Sequence, residues 1–487
     1  MPIKLIAAIF VPAIIGIGFL AMPDPENKTN LTNNVYIVEL KDDGFYPMEI
    51  TVQKGDSVKF ISDAYDYFWP ASDPHPTHEF LGGFDPETAI ERGESWAYTF
   101  NETGSWNYHD HIHVSFKGTI NVVSNSSQQE TSLTEDCESV TDENKKAYCW
   151  YEAIKDKAKN QSIDAAFSLF TKVYAEGAPL GCHWTSHLIG EEAFKKFIEG
   201  ERFQITNATS YCGYGFYHGF MEPLLRKNPD TKLAIDFCEE VARQLGDDGR
   251  NNCYHGIGHG FSEDPPPAET FGNANLMARP GLSVCEGLFE KVSQRYLETC
   301  ATGVYTVVAH FIEEGLYGLE KLDHHDPFKF CRTQPKKYEV ACHGEFAPKL
   351  DLITNWDVSK VPSFIGELED VYTKEIVIRG AVGAMMQRDV AKKDHTAYIL
   401  GCRTFPEDLR IICLKGIVWG FMMHGLPEQE YIKLLKFCES PMTKVEENFC
   451  YTESFSRFKA VYAPGKFQTI CSLDDKYKEY CNTANEN

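Results

Sequence analysis

The chain has 487 residues, 43% of them hydrophobic, which allows more than one domain and is a globular rather than a disordered composition. Its formal net charge is -24, from 47 basic and 71 acidic residues. Such a surface repels phosphate backbones and excludes nucleic acid as a partner, while it favours solubility and attracts cations.

The first element is apolar. After Lys4 an uncharged run extends from Leu5 to Ala21, short for a bilayer span and long for a signal-peptide core. Residues 1–22 therefore read as a signal peptide or as an N-terminal membrane anchor. Either exports the chain, and the second makes the membrane a partner. Six Asn-x-Ser/Thr acceptors, at Asn27, Asn30, Asn101, Asn125, Asn160 and Asn207, agree with export as a glycoprotein. Residues 23–33 are polar and Asn-rich, a tether.

From 34 to 124 the pattern is β. Val35–Leu40, Val58–Ile61 and Thr119–Val123 are short β-rich runs bounded by Gly, Asp and Pro, enough for a sandwich or small barrel. Asp43-Gly44-Phe45-Tyr46-Pro47, Ile50 to Phe60, Gly93-Glu94-Ser95, Gly104 to His109 and Gly118 to Val122 resemble a cupredoxin from end to end. The resemblance implies a Greek-key sandwich with a metal site at one end. In that family a Tyr-x-Cys-x-x-His-x-x-Met-x-Gly stretch supplies most of a type 1 copper site, and the matching stretch here runs from Tyr108 to Gly118. Asp110 stands at the Cys position, His113 at the second His and Phe116 at the Met. Blue copper needs a thiolate, and no cysteine precedes Cys137, so a type 1 centre is excluded within this region.

Ligands are plentiful nonetheless. All five histidines before Cys137 lie in Trp69–Glu79 (His75, His78) or Tyr108–His113 (His109, His111, His113). Family register points to His78, Asp110 and His113; proximity adds His75, His109 and His111. Imidazole with carboxylate suits Cu(II), with Zn(II) the second choice. The competing reading is a cupredoxin without metal, whose histidines cap strands and loops.

Residues 125–136 are a linker by composition. From 137 to 487 alternation gives way to helical spacing, and all sixteen cysteines lie here. They fall as Cys137/Cys149, Cys238/Cys253, Cys285/Cys300, Cys331/Cys342, Cys402/Cys413, Cys438/Cys450 and Cys471/Cys481, with Cys182 and Cys212 more widely separated. An even number in recurring pairs, in an exported chain, reads as a disulfide framework with local pairing the economical choice. Counted from 149, 182, 212, 253, 300, 342, 377, 413 and 450, with Val377 standing where a cysteine would be, units recur at intervals of 30 to 47 residues, the period of stacked helical hairpins. The expected fold is an all-α, disulfide-stapled solenoid or toroid, behind an all-β domain.

This half carries its own ladder of His-x-x-x-Glu: His187/Glu191, His218/Glu222, His259/Glu263, His310/Glu314 and His424/Glu428, extended backwards by His183 and His255. On helices each pair shares one face. The ladder could stabilise helices, converge as a metal or acid–base centre, or line a groove for a partner. Glycines around it (Gly213, Gly215, Gly219, Gly256, Gly258, Gly260) allow close packing or room for a ligand.

The resulting expectation is an exported copper-binding protein with a remodelled cupredoxin site, serving extracytoplasmic copper handling or electron transfer with a redox or metal-transfer protein as partner. Were it to turn over, the resemblance implies a copper-dependent oxidoreductase. The alternatives are an enzyme centred on the His/Glu helices and a cell-surface binding or structural protein.

Overall fold

The computed structural model describes residues 34–41, 44–62, 67–75, 78–113, 116–123, 137–227, 231–262, 266–390, 392 and 394–486. The N-terminal apolar run, the tether, the linker, Asn27, Asn30, Asn125 and Glu263 lie outside these residues. Among the described residues no helix is long and apolar enough to cross a membrane.

Eight strands form a two-sheet sandwich: β1 (Val35–Lys41), β2 (Gly44–Tyr46), β3 (Glu49–Gln53), β4 (Ser57–Ser62), β5 (Pro70–Ser72), β6 (Ser95–Thr99), β7 (Gly104–Asp110) and β8 (Lys117–Val123). One sheet runs β2-β1-β4-β6 and the other β3-β8-β7-β5. The chain crosses repeatedly between sheets, so β1 pairs with β4, and β3 with β8, in parallel. Alternation sends Val38, Leu40, Val58, Phe60, Tyr108, Ile120 and Val122 inward. Tyr108 lies at the centre of the core, its ring 4.8 Å from Phe45 and 5.3 Å from Phe60.

The outer face of the second sheet is not left to solvent. Asn107, His109 and Lys117, which alternate with the core residues, point at the helices that follow. Asn107 donates to Glu152 at 2.8 Å, and Lys117 is ion-paired with Glu191. Phe80, from the loop after β5, is buried in the helical core against Tyr148 and Tyr151. Tyr317 donates its hydroxyl to the Ile112 carbonyl at 3.2 Å. The two halves therefore share apolar as well as polar contacts.

The helices are α1 (Glu143–Asn160), α2 (Ile163–Ala175), α3 (Cys182–Ile198), α4 (Tyr211–Lys227), α5 (Thr231–Ser262), α6 (Ala274–Phe289), α7 (Gln294–Glu314) and α8 (Glu339–Phe346). Two single-turn helices follow, α9 (Leu350–Ile353) and α10 (Pro362–Ile365). The rest are α11 (Val371–Asp389), α12 (Thr396–Cys402), α13 (Glu407–His424), α14 (Glu430–Cys438), α15 (Lys444–Val461), α16 (Pro464–Cys471) and α17 (Tyr477–Glu486). α5 breaks at Gly246, whose φ of 72° makes it two helices joined by a turn. One layer runs α3, α4, α5, α7, α8, α11, α13, α15 by successive contact, and α13 also touches α4, so the row curls back on itself.

The repeating glycine has a steric cause. A Cβ on Gly303 would lie 2.0 Å from the His255 carbonyl oxygen, and one on Gly219 2.0 Å from that of His187. Neighbouring helices thus approach backbone to backbone, and Gly215, Gly219, Gly256, Gly258 and Gly260 permit that packing rather than a ligand space, while Gly213 serves a left-handed turn at φ 67°.

All sixteen cysteines are paired, in the eight local pairs: Cys137–Cys149, Cys182–Cys212, Cys238–Cys253, Cys285–Cys300, Cys331–Cys342, Cys402–Cys413, Cys438–Cys450 and Cys471–Cys481. Closing a loop of about 15 residues stabilises by roughly 3 kcal/mol in the chain-entropy account. Such a framework belongs in an oxidising, extracytoplasmic compartment.

Candidate metal centre at the junction of the two halves

His75, His78, His109 and His111 form one group, with one nitrogen of each within 4.8 Å of the others. His109 is the penultimate residue of β7, and His111 follows the strand. His75 and His78 come from the loop after β5, pinned where Leu81 N donates to the Ser72 hydroxyl and Phe80 N to the Asp73 carbonyl. His78 holds a left-handed backbone, φ 54°. A non-glycine residue there carries local strain of about 1–3 kcal/mol, of the kind that gathers at working sites.

Two carboxylates set the rings. His109 Nδ1 is 2.7 Å from Asp73, both fully buried, and His78 Nδ1 is 2.5 Å from Asp85. With Nδ1–H donated to its carboxylate, each ring turns Nε2 inward. Those nitrogens meet the other pair: His75 Nδ1 is 3.3 Å from His109 Nε2, and His111 Nδ1 is 2.9 Å from His78 Nε2. Asp85 also accepts from the Trp69 indole at 2.7 Å, and the Trp69 ring lies 4.6 Å from His111.

Electrostatics disfavour the charged form of His75, His78 and His111. Burial, then repulsion from the neighbouring imidazoles, holds His75 well below its ordinary value and His111 down at about 3. Burial and His109 lower His78, against the pull of Asp85. Imidazoles paired nitrogen to nitrogen in this way would give up their shared protons to a cation, which satisfies the freed lone pairs together. A shell with metal–nitrogen bonds of about 2.0–2.1 Å has edges of about 2.9–3.4 Å, and the two contacts of 3.3 and 2.9 Å fall in that range. The donor set therefore fits Cu(II) or Zn(II). It does not fit type 1 copper, because every cysteine is in a disulfide.

Asp110 and His113 are placed elsewhere. Tyr108 and Asp110 face the sandwich while His109 and His111 face the helices, the ordinary consequence of a two-residue period. Asp110 accepts from Trp69 N at 2.8 Å and Ile112 N at 3.1 Å, and its other oxygen is 2.6 Å from His113 Nδ1. The position equivalent to the family's thiolate is thus a closed polar knot outside the four-histidine group.

The helical half borders the group. Trp184 lies 6.4 Å from both His75 and His109, and the His310 ring is 5.6 Å from His75. Trp184 in turn stacks on His187 at 5.2 Å. None of Asp73, Asp85, Trp184 or Lys117 stood out in the sequence; only Asp73 had a signal, lying inside the His-rich stretch.

The ladder is built differently. His187/Glu191, His218/Glu222 and His310/Glu314 each share a helix, but Glu222 turns across to His187 at 3.0 Å and His259 at 3.3 Å. His218 stacks on His259 at 4.2 Å and on His255 at 5.1 Å, and His183 lies 5.1 Å from His218. Burial would lower His187, but Glu222 and Glu191 offset it and hold the imidazole at about 9. Burial, with His259 and His183, keeps His255 at about 3, and burial with His187 keeps His183 at about 4. Among the described residues, the groups that gather three or more ligand atoms include His310 with Glu314, joined by Glu313, but not the rungs at His187 and His218. The fifth rung is not one: α13 ends at His424, because Leu426 precedes Pro427 and Pro427 lacks an N–H, and Glu428 takes φ 65°.

No protein-family model matches the chain, and no curated protein matches it. Among solved structures it is similar to a purple cupredoxin from Nitrosopumilus maritimus, at 15% identity and TM-score 0.17, over 18% of this chain and 99% of that one. It is similar to a mutant plastocyanin of fern at 23% and 0.16, over 18% and 99%. It is also similar to a Cu-containing nitrite reductase from Thermus scotoductus SA-01 at 23% and 0.17, over 21% and 26%.

Proposed function

We propose that this is an extracytoplasmic copper-binding protein whose centre is the four-histidine group, serving copper handling or slow redox exchange rather than blue-copper electron transfer. The carrying observation is the convergence of four imidazole nitrogens, two of them aimed by Asp73 and Asp85. Copper bound there would supply a redox-active cation in an all-nitrogen shell. The chain's part is to orient His78 and His109, to disfavour the charged forms of His75, His78 and His111, and to exclude water with Trp69 and Trp184. A centre clamped between two domains also suits delivery, since a partner that parts the clamp would expose it.

Metal content and EPR of the full chain test this, wild type against His109→Ala. One Cu(II) per chain with a nitrogen-rich type 2 signal, weakened by at least about 100-fold in the variant, supports the reading. A wild type that takes neither Cu(II) nor Zn(II) overturns it. A second reading, an acid–base enzyme on the inner face of the helices, has one observation in its favour. Glu345, bonded to Thr306 at 2.9 Å, is pushed up to about 7 by burial, where a carboxyl can give and take protons near neutrality. Metal-independent turnover lost in Glu345→Gln would favour it.

A further inference from the structure

The four histidines are walled in. His78, His109 and His111 are buried, and Trp69 and Trp184 stand against the rings. A metal centre of this kind needs a way in. On the helical side, one imidazole borders it without belonging to it: His310, edge-on to His75 at 5.6 Å and 6.4 Å from His111.

His310 opens a second cluster of its own. With Glu313 and Glu314 it shares one face of α7, and one ligand atom of each lies within 4.8 Å of the others. Its Nε2 is buried and has no hydrogen-bond partner, a costly arrangement for a polar atom with no task. Glu314 is exposed and Glu313 half-buried, so the three ligands run from solvent to the edge of His75.

We infer that His310, Glu313 and Glu314 form an outer divalent-cation site through which the four-histidine centre is loaded. The inference rests on the reading of that centre given above and adds its route and its cargo. Two carboxylates and an imidazole attract Cu(II) or Zn(II) and give Cu(I), which prefers sulfur ligands, no advantage. The net charge of -24 concentrates such cations at the surface. Lys349 is ion-paired with Glu313, which weakens the outer site and suits a ligand set that must pass its ion inward.

The test is Cu(II) uptake by the full chain, followed by stopped flow and EPR. The Glu313→Gln/Glu314→Gln variant keeps its fold by thermal melt, fills the four-histidine centre to wild-type stoichiometry with the same spectrum, and does so about tenfold more slowly. In His109→Ala a weaker second Cu(II) signal persists and disappears when the two glutamates are also replaced. Uptake at the wild-type rate in the double glutamate variant overturns the route while leaving the inner centre intact. Absence of the weak signal in His109→Ala overturns the outer site. A wild type whose four histidines take no Cu(II) overturns route and centre together.

Discussion

Two histidine clusters lie side by side in this molecule, built from the same residue types. In the four-histidine group the nitrogens point at one another and the carboxylates stand behind the rings. In the ladder the rings lie face to face, and Glu222 stands between His187 and His259. The first arrangement pairs the rings nitrogen to nitrogen, His75 with His109 and His111 with His78, so that a cation displacing the shared protons would meet four converging lone pairs. The second neutralises itself, with a protonated His187 held between two carboxylates and Lys117 beyond. Composition does not separate a ligand cage from a structural ion-pair network; the side of the ring on which the carboxylate sits does.

The sharpest way to break this comparison is Glu222→Ala. It leaves the cationic His187 and its neighbour His259 buried without their shared carboxylate. Removing one partner of a buried pair costs about 3–5 kcal/mol, so thermal and denaturant unfolding shift markedly. Copper stoichiometry stays at the wild-type value, and a loss of copper equal to that in His109→Ala would merge the two clusters into one site. Asp73→Asn probes the other side. It keeps an acceptor for His109 Nδ1 but removes the charge, and the expected result is a 10- to 100-fold weaker copper affinity, about 1.4–2.7 kcal/mol, with the melting curve nearly unmoved. A titration showing unchanged affinity would mean that Asp73 only packs.

How much of this was legible in the sequence follows from the range of each signal. Strands such as Val58–Ile61 and Thr119–Val123 announce themselves by local alternation, and the cysteine pairs by local spacing. The concentration of histidines in two stretches was equally visible. The choice among them was not, since a shift of one residue along β7 exchanges the face toward the core for the face toward the helices. Asp110 and His113 fit the family register and still fall on the wrong side for the group. Trp184 and His310 reach the centre only through tertiary packing across the domain junction, and Asp85 reaches His78 only through the fold of its own loop, so no short-range pattern encodes them. The ladder was legible as a spacing but not as a circuit, because Glu222 bonds to the helices before and after its own.

The smallest expected effect concerns pH, and it separates the two clusters by sign. The folded state holds His187 at about 9 against an ordinary 6.5. Its contribution to stability is therefore full below pH 6.5 and is lost as pH rises through 9. Glu191 and Glu222 are held below their ordinary 4.5, by Lys117 and His187 and by His187 and His259 against the opposing effect of burial. Their contribution is present above pH 4.5 and is lost as pH falls through the lowered values. The ladder thus stabilises most between pH 4.5 and 6.5. The lowered His75 and His111 act in the opposite sense, since folding disfavours their charged form and so weakens below pH 6.5. Thermal melts of wild type and His187→Gln should differ by about 2–4 °C at pH 6, and the gap should close by pH 10. A gap that stays constant across that range would mean that His187 holds the domains by packing against Trp184 rather than by its charge.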